Sequence, residues 1–321
     1  MTSATETISA HPGPAFAAAP AFSNGEVRDF FALLKPRVMS LVVFTALVGM
    51  LVSPSSVNPI IAAASLLMIA VGAGASGCLN MWWEADIDAV MTRTRTRPIP
   101  AGRITRDEAL AFGLTLSVGS VLALGLIANW LAAALLAGTI AFYVIVYSMG
   151  LKRWTDQNIV IGGLAGALPP VVADAAVSGS VGVPSLVLCG LIFLWTPPHF
   201  WALALVKSGD YAKAGIPMMP NVRGPDATRT QILAYTLVMA PFGMLPVWLG
   251  FGGLAYAVVG AVFGLGMIAL AIQVYRIRSG EEASGTAMKL FAFSILYLFL
   301  LFSALLAEHG LGLFRPVLGS A

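Results

Sequence analysis

Nine runs of mostly apolar residues, each close to the length that crosses a lipid bilayer, divide most of this chain. A membrane-spanning helix needs about 20 such residues, and short turns rich in Pro, Gly, Asn and Ser separate several of the runs. We therefore predict an all-α polytopic membrane protein with nine transmembrane helices. The predicted spans cover residues 37–54, 58–80, 108–127, 131–150, 158–177, 184–206, 230–250, 254–274 and 288–307.

The composition agrees with lipid as the main solvent of the chain. Hydrophobic residues make up 58% of it and charged residues only 10%, whereas a soluble domain carries roughly 25% charged residues. A fold with so little polar surface cannot cover itself in water. This composition excludes a soluble cytosolic enzyme, a nucleic-acid-binding module and a disordered protein.

The basic residues test the number of spans, because cytoplasmic loops of membrane proteins carry an excess of Lys and Arg. With nine spans and a cytoplasmic N-terminus, 17 of the 18 basic residues fall on the cytoplasmic side, and only Arg315 falls outside. The longest polar loops, at 89–107 and 207–229, lie on that same side. We therefore predict a cytoplasmic N-terminus, a flexible N-terminal tail over 1–30, a membrane domain over 31–310 and a C-terminal tail over 311–321.

Three oxygen-bearing side chains end the second span with a spacing of four residues. Asn80, Glu84 and Asp88 therefore lie on one face of a helix at its cytoplasmic end. Ionisable groups at membrane depth are costly and usually line a cavity or bind an ion. Acids are also tolerated where a helix simply emerges into water, but a helix C-terminus favours cations, and hard oxygen ligands suit Mg²⁺. We interpret the three side chains as a magnesium site.

Basic residues follow these acids at once. Arg93 and Arg97 lie in the next loop, and Lys152 and Arg153 follow the fourth span. Basic loops are common topology signals, but oxygen ligands for Mg²⁺ followed by guanidinium groups are what a diphosphate requires. The pattern favours a site for a substrate that carries a diphosphate.

A third polar cluster leaves the sixth span and contains His199, Lys207 and Asp210. At offsets of 8 and 11 residues the three fall roughly on one helical face, and Pro197–Pro198 predicts a break or kink just before His199. A membrane histidine is often a packing residue, but a polar residue at a kink is typical of a site. We therefore expect this helix end to contribute to the same cytoplasmic cavity.

Three motifs resemble those of the UbiA-type intramembrane prenyltransferases. The segment 80–88, Asn-Met-Trp-Trp-Glu-Ala-Asp-Ile-Asp, looks like the first acidic motif of that family. The segment 147–155 is similar to its basic loop, and Gly209–Asp210 resembles the end of its second acidic motif. The resemblance spans residues 35–305, and the nine predicted spans agree with the helical fold that it implies.

Longer sequence segments are similar to those of the branch of that family that modifies heme. They are 80–88, 91–103, 195–200 (Trp-Thr-Pro-Pro-His-Phe) and 210–218. The general family pattern has Asp where Met81 and Glu84 stand, and further acids where His199 and Val206 stand; these departures fit the heme branch.

The resemblance implies a reaction in which a farnesyl group passes from farnesyl diphosphate to a vinyl group of heme b, giving heme o and diphosphate. It implies Mg²⁺ as cofactor, bound by Asn80, Glu84, Asp88 and Asp210, and it implies these four residues and His199 as the catalytic set. The implied diphosphate-binding residues are Arg93, Arg97, Lys152, Arg153 and Lys207. The implied aromatic lining of the substrate pocket is Trp82, Trp83, Tyr147, Phe200, Trp201 and Tyr211.

The same resemblance implies a multi-pass protein of the bacterial inner membrane whose active site faces the cytoplasm. Its implied partners are the two substrates, the lipid bilayer, and proteins such as heme A synthase or oxidase assembly proteins, without nucleic acid. Two alternatives fit parts of the pattern. One is the same chemistry on an aromatic or quinone-precursor acceptor. The other is a transporter of heme or anionic lipid, which the clustering of polar residues at one membrane edge disfavours.

Overall fold

The computed structural model describes residues 23–55 and 58–317, and over this part of the chain it contains helices and no β-strand. The α-helices in chain order are α1 Val27–Leu33, α2 Pro36–Leu51, α3 Pro59–Trp83, α4 Ala85–Val90, α5 Arg106–Ile127, α6 Trp130–Ala141, α7 Lys152–Trp154, α8 Asn158–Ala167, α9 Pro169–Ser178, α10 Val183–Lys213, α11 Met219–Val222, α12 Gly224–Phe242, α13 Leu245–Trp248, α14 Leu254–Arg276 and α15 Gly280–Leu305. Two π-helical segments, Phe142–Leu151 and Leu306–Gly310, follow α6 and α15.

Eight helical stretches of the described chain are long and apolar enough to cross a membrane. A ninth is formed by α1 and α2, which are joined across a bend of 53°. Several spans are composite, since α8 continues into α9 and α12 into α13. The prediction of an all-α polytopic protein is confirmed, and nine spans are obtained when the bent pair is counted as one.

Side-chain capping hydrogen bonds mark the first residues of several helices. The side chains of Asn58 and Asn129 accept hydrogen bonds from backbone N–H groups in the first turns of α3 and α6. Thr105 and Glu108 form a reciprocal capping box at the start of α5. Because free N–H groups at a helix start need partners that lipid does not supply, these caps help to fix where the spans begin.

Close helix packing surrounds the long helix α10, which contacts α8, α12 and α15, while α3 packs along α5 and α2 along α9. Gly49 permits the approach of α2 to α9, since a methyl group there would lie 2.6 Å from the Cα atom of Pro170. On the outside of the bundle, Leu126 and Leu265 are 79% and 67% exposed. Such outward-facing apolar side chains require lipid around the bundle.

The predicted N-terminal tail partly overlaps the domain. Its residues 1–22 lie outside the described chain. The backbone N–H of Ser23, however, donates to Glu108 Oε1 at 2.9 Å, and Arg103 binds Asp29 of α1 at 2.8 Å. These contacts place the described part of this segment against α5 and its preceding loop.

The predicted C-terminal tail also touches the bundle. The backbone carbonyl of Arg315 accepts a hydrogen bond from the N–H of Leu254 at 2.9 Å, at the start of α14. Residues 318–321 lie outside the described chain. The segment after residue 310 is therefore anchored at Arg315.

Candidate active site

The first acidic stripe crosses the junction between α3 and α4. The backbone N–H of Glu84 bonds to the Asn80 carbonyl at 3.0 Å, and that of Asp88 bonds to the Glu84 carbonyl at 2.8 Å. These bonds keep the helical spacing of four residues across the junction, so the three side chains share one face. All three are buried, with exposures of 3% for Asn80, 1% for Glu84 and 2% for Asp88.

Each of these three side chains is bound by a cationic residue from a different segment. Lys35, between α1 and α2, donates to Asn80 Oδ1 at 2.6 Å. Arg97 of the loop after α4 binds Asp88 Oδ2 at 2.6 Å. The third cation is Lys152, at the start of α7, whose Nζ atom binds Glu84 Oε2. Three distant parts of the sequence therefore meet at this face.

One carboxylate oxygen at this face is left without a partner. Glu84 Oε1 is buried and makes no hydrogen bond to any described residue. Leaving a buried charged oxygen unpaired is costly, so a further positive group at this oxygen would be stabilising. No three Asp, Glu, His or Cys side chains of the described chain come together as a metal cage. Mg²⁺ is usually held by one or two carboxylates together with substrate phosphates. Glu84 and Asp88 supply two carboxylates of this kind, and the Asn80 amide supplies a third oxygen.

The end of α10 approaches the loop that follows α4. Thr92 Oγ1 donates to Asp210 Oδ1 at 3.1 Å. This contact joins the second polar helix end to the segment that carries Arg93 and Arg97. Arg93 and Lys207 themselves are exposed.

A break in α10 separates His199 from Asp210, which the sequence places with Lys207 on one helical face. Lys207 has non-helical backbone angles, φ −107° and ψ 15°, which interrupt α10 between His199 and Asp210. The helix is therefore broken at Lys207, whereas the backbone just before His199 stays helical. Pro197 and Pro198 lie inside the helix.

His199 is held in an aromatic sandwich between α10 and α15. Its ring stacks on Trp195 at 4.2 Å and on Phe291 at 4.5 Å, and its Nδ1 atom lies 2.7 Å from Ser294 Oγ. Ser294 in turn donates its hydroxyl proton to the Phe291 carbonyl at 2.7 Å. Because a hydroxyl carries one proton, Nδ1 is then the donor to Ser294, and Nε2 holds the free lone pair.

Arg153 binds a different carboxylate from the one that Lys152 binds. Its guanidinium donates to both oxygens of Asp86, at 2.9 and 3.1 Å. Partial burial alone would raise the pKa of Asp86, but the hydrogen bond from Arg153 holds it below the ordinary value. Asp86 is therefore ionised and neutralises part of the charge on Arg153.

The predicted pocket aromatics are divided among several clusters. Trp82 and Trp83 lie with their rings 5.8 Å apart at the end of α3. Trp201 is fully buried, with its ring edge-to-face on Tyr235. Phe200 is 38% exposed and lies edge-to-face on His199.

The other two predicted aromatics lie nearer the acidic face. Tyr147, in the π-helical segment before Lys152, packs on Gly162 and lies 5.5 Å from the ring of Tyr143. Tyr211 packs with Ile87 and Met91 next to α4. The predicted six residues therefore do not form one continuous wall.

An apolar cavity of about 130 Å³ opens beside Lys35. Neither Tyr147 nor any other of the six predicted aromatics lines it. Tyr143 does line it, together with apolar residues of α2, α3, α6 and α9, among them Val42, Ile69, Ile140 and Val172.

Lys35 and Tyr143 are thus site residues that the sequence analysis does not identify, because Lys35 counts there only as one of the 17 basic residues on the cytoplasmic side. The local signal for Lys35 is its position directly before Pro36, the first residue of α2.

Together these features define a multi-pass helical membrane protein with a charged site beside an apolar cavity. Residues 42–295 match the sequence profile of the UbiA prenyltransferase family, and the chain belongs to that family. A relative from Methylobacterium sp. (strain 4-46) called protoheme IX farnesyltransferase is 73% identical over 317 residues, which cover 99% of this chain and 98% of the relative. A second relative of that name, from Methylorubrum populi, is 72% identical over 317 residues, covering 99% of both chains.

Solved structures show the same fold at much lower identity. A digeranylgeranylglyceryl phosphate synthase matches with a TM-score of 0.73 and 16% identity, covering 88% of this chain and 97% of its own. A UbiA homolog from Archaeoglobus fulgidus, bound to DMAPP and Mg²⁺, matches with a TM-score of 0.62 and 16% identity, covering 86% and 99%. These likenesses support the UbiA-type helical bundle.

Proposed function

We propose that this protein transfers the farnesyl group of farnesyl diphosphate to a vinyl group of heme b, which gives heme o and diphosphate. The observation that carries the proposal is the 73% identity to a protoheme IX farnesyltransferase over 99% of the chain. That match necessarily includes the segments that form the charged site. The charged site and the apolar cavity beside it suit a substrate with an anionic head and an isoprenoid tail.

The diphosphate binds where the three cations meet the acidic stripe. Lys35, Arg97 and Lys152 already bind oxygen atoms there and can donate to diphosphate oxygens as well. The exposed Arg93 and Lys207 add positive charge around the opening. As the C–O bond breaks, its electron pair moves to the diphosphate, and these cations stabilise the charge that develops.

The donor set fits Mg²⁺ as the cofactor. Asn80, Glu84 and Asp88 would hold it, with Asp210 at the facing helix end, and the unpartnered Glu84 Oε1 is the oxygen most in need of a cation. Mg²⁺ would supply positive charge that makes the diphosphate a better leaving group. The Archaeoglobus fulgidus homolog, bound to both DMAPP and Mg²⁺, supports this assignment.

The apolar cavity shelters the isoprenoid. Its wall of aliphatic residues and Tyr143 excludes water from the allylic cation, and the nearby ring of Tyr147 offers a π-face to the positive charge. The heme vinyl group then forms a bond to the allylic carbon, and water adds to the resulting cation and loses a proton. The product carries a hydroxyethylfarnesyl group, and no redox step is required.

We assign His199 to heme rather than to the diphosphate, because its ring contacts Trp195, Phe291 and Ser294 and no residue of the acidic stripe. Its Nε2 lone pair offers a ligand for heme iron or an acceptor for a proton. The site faces the cytoplasm of the bacterial inner membrane, as the one-sided basic residues and the bacterial relatives support. Heme A synthase and oxidase assembly proteins are the partners that would receive the product.

The test is an assay of the purified full-length protein in detergent with farnesyl diphosphate, Mg²⁺ and a choice of acceptors. The proposal predicts that heme b is converted into a product with the mass of heme o. Conversion of an aromatic acid or quinone precursor, with heme b untouched, would assign the alternative acceptor. Transport of heme into proteoliposomes without any prenylated product would overturn the enzyme assignment.

A further inference from the structure

A second charged cleft lies on the other side of α4 from the acidic stripe. It has a volume of about 310 Å³, is open to the surface, and runs between α4, Arg153 and the segment that ends α10. Its polar side chains are Asp86, Arg153 and Lys213. Asp86 is two residues from both Glu84 and Asp88, and helical geometry therefore turns it away from them. The cleft and the diphosphate site share one short helix but use opposite faces of it.

The cleft combines positive charge with an apolar floor. Arg153 and Lys213 contribute two positive charges, and Asp86 contributes one negative charge, so the cleft is net cationic. Ile87 and Ile216, which are 6% and 3% exposed, form the floor. A flat apolar ring system with carboxylates on one edge matches this arrangement better than a small inorganic anion does.

Two other basic residues near α4 bind carboxylates of the diphosphate site and do not face the cleft. Lys152 binds Glu84 and Arg97 binds Asp88, both on the diphosphate side. Arg153 is instead turned toward Asp86 in the cleft, with 36% of its side chain exposed. It can exchange this exposed partner for a ligand carboxylate at small cost, because exposed ion pairs contribute little to stability.

We propose that this cleft is the subsite for the propionate edge of the porphyrin, with Arg153 and Lys213 binding the two carboxylates. The inference rests on the proposed function and names the place of the acceptor within it. Both propionates lie on one edge of heme b, and the vinyl groups lie away from that edge. Anchoring the carboxylates in the surface cleft therefore directs the vinyl groups away from the cleft. Arg153 becomes a specificity residue for the acceptor rather than a ligand of diphosphate.

The test compares heme b with its dimethyl ester, in which both carboxylates are neutral. Equilibrium affinity is measured from the absorption change of the porphyrin on titration into the pure full-length protein, without farnesyl diphosphate. The variants are Arg153→Gln and Lys213→Gln, with Lys213→Arg as the variant that keeps the charge. The control is Lys289→Gln, which removes an exposed lysine on α15 far along the sequence from the cleft.

The proposal predicts that the wild type binds heme b more tightly than the ester. Each Gln variant weakens heme binding about three- to tenfold, as expected for loss of one charged hydrogen bond at a half-exposed site, and leaves ester binding unchanged. Lys213→Arg and Lys289→Gln keep the wild-type preference. In turnover, the KM for heme b rises in the Gln variants while the KM for farnesyl diphosphate stays constant.

Two results would overturn the assignment. The first is equal loss, or no loss, of heme and ester affinity in both Gln variants. The second is an unchanged heme affinity together with loss of a dependence on phosphatidylglycerol in vesicles, which would assign the cleft to a lipid headgroup. Because binding is measured without the prenyl donor, a protein that binds heme with the predicted preference but makes no heme o would contradict only the proposed function.

Discussion

The two carboxylate oxygens of Glu84 differ in their hydrogen bonding. Oε2 is bound by Lys152, while Oε1 is buried without a described partner. Replacing Glu84 by Gln removes the negative charge while nearly keeping the shape of the side chain. We expect kcat to fall at least about 100-fold, the scale of losing one electrostatic stabiliser of a transition state, and the requirement for Mg²⁺ to rise.

The matched control for Glu84→Gln is Glu282→Gln, which changes an exposed carboxylate in the first turn of α15. It should leave turnover and the Mg²⁺ requirement at wild-type values. A thermal unfolding scan shows whether Glu84→Gln is folded although the half-buried Lys152 has lost its partner. Full activity of folded Glu84→Gln at limiting Mg²⁺ would remove the residue from the mechanism.

Lys35 contributes to the site through both its backbone conformation and its side chain. Its φ of 52° makes it the single non-glycine residue of the described chain with positive φ. Such a conformation costs of order 1 kcal/mol and persists where the surroundings hold it. Here the cost is offset by aiming Nζ at Asn80. Nothing in the local sequence predicts that direction, because it depends on the packing of α1 against α3.

Ser294 positions the ring of His199. Replacing Ser294 by Ala removes the acceptor of the Nδ1 proton, while the bond from Trp195 to the Ser294 backbone carbonyl is kept. We expect kcat to fall about tenfold, as for other residues that orient a histidine, and the absorption spectrum of bound ferric heme to shift. His199→Ala should shift the spectrum in the same direction and further.

Ser303→Ala, a half-buried serine later in α15, is the control and should change neither turnover nor the spectrum. If Ser294→Ala kept both while His199→Ala lost activity, the histidine would act without this orientation. If neither variant changed heme affinity or turnover, His199 would be a packing residue.

At the scale of elements, α8 packs closely on Tyr147 at Gly162. A methyl group at Gly162 would overlap the ring of Tyr147, with Cε2 at 2.5 Å, whereas one at Gly166 in the same helix would meet nothing within 4 Å. We expect Gly162→Ala to lower the free energy of unfolding by about 1–3 kcal/mol, as overpacking does, and to displace Tyr147.

Gly166→Ala should be neutral or slightly stabilising, because alanine favours the helix and has open space there. The midpoints of detergent-phase thermal unfolding compare the two variants directly. Equal midpoints for Gly162→Ala and Gly166→Ala would contradict the close approach of α8 to the π-helical segment.

The elements also show how far sequence reasoning reaches. The spans could be predicted because each depends on about 20 consecutive residues, and the stripe of Asn80, Glu84 and Asp88 because helical spacing is local. The interruption of α10 at Lys207 could not, because the proline pair that predicts a break stands at 197–198, where the helix continues. The placement of Arg153 beside Asp86 and the start of α1 inside the predicted tail could not either, because each involves contacts between segments that are distant in the sequence.

At the scale of the whole molecule, the orientation in the membrane is a prediction from the basic residues. It is tested by single cysteines at two exposed loop positions, Arg95→Cys and Ser180→Cys, since the natural Cys78 and Cys189 are buried. A maleimide that cannot cross membranes should label Ser180→Cys in intact cells and Arg95→Cys only after the membrane is opened. The unsubstituted chain is the control, and the reverse labelling pattern would contradict a cytoplasmic active site.

The most direct test of the account is a structure of the protein with Mg²⁺ and a farnesyl thiolodiphosphate, whose bridging sulfur prevents ionisation. The central claim predicts that the diphosphate lies against Glu84 and Asp88, within hydrogen-bonding distance of Lys152 and Arg97. It also predicts that the isoprenoid enters the cavity beside Lys35 and Tyr143. A diphosphate bound elsewhere, with the Glu84–Lys152 and Asp88–Arg97 pairs undisturbed, would contradict it.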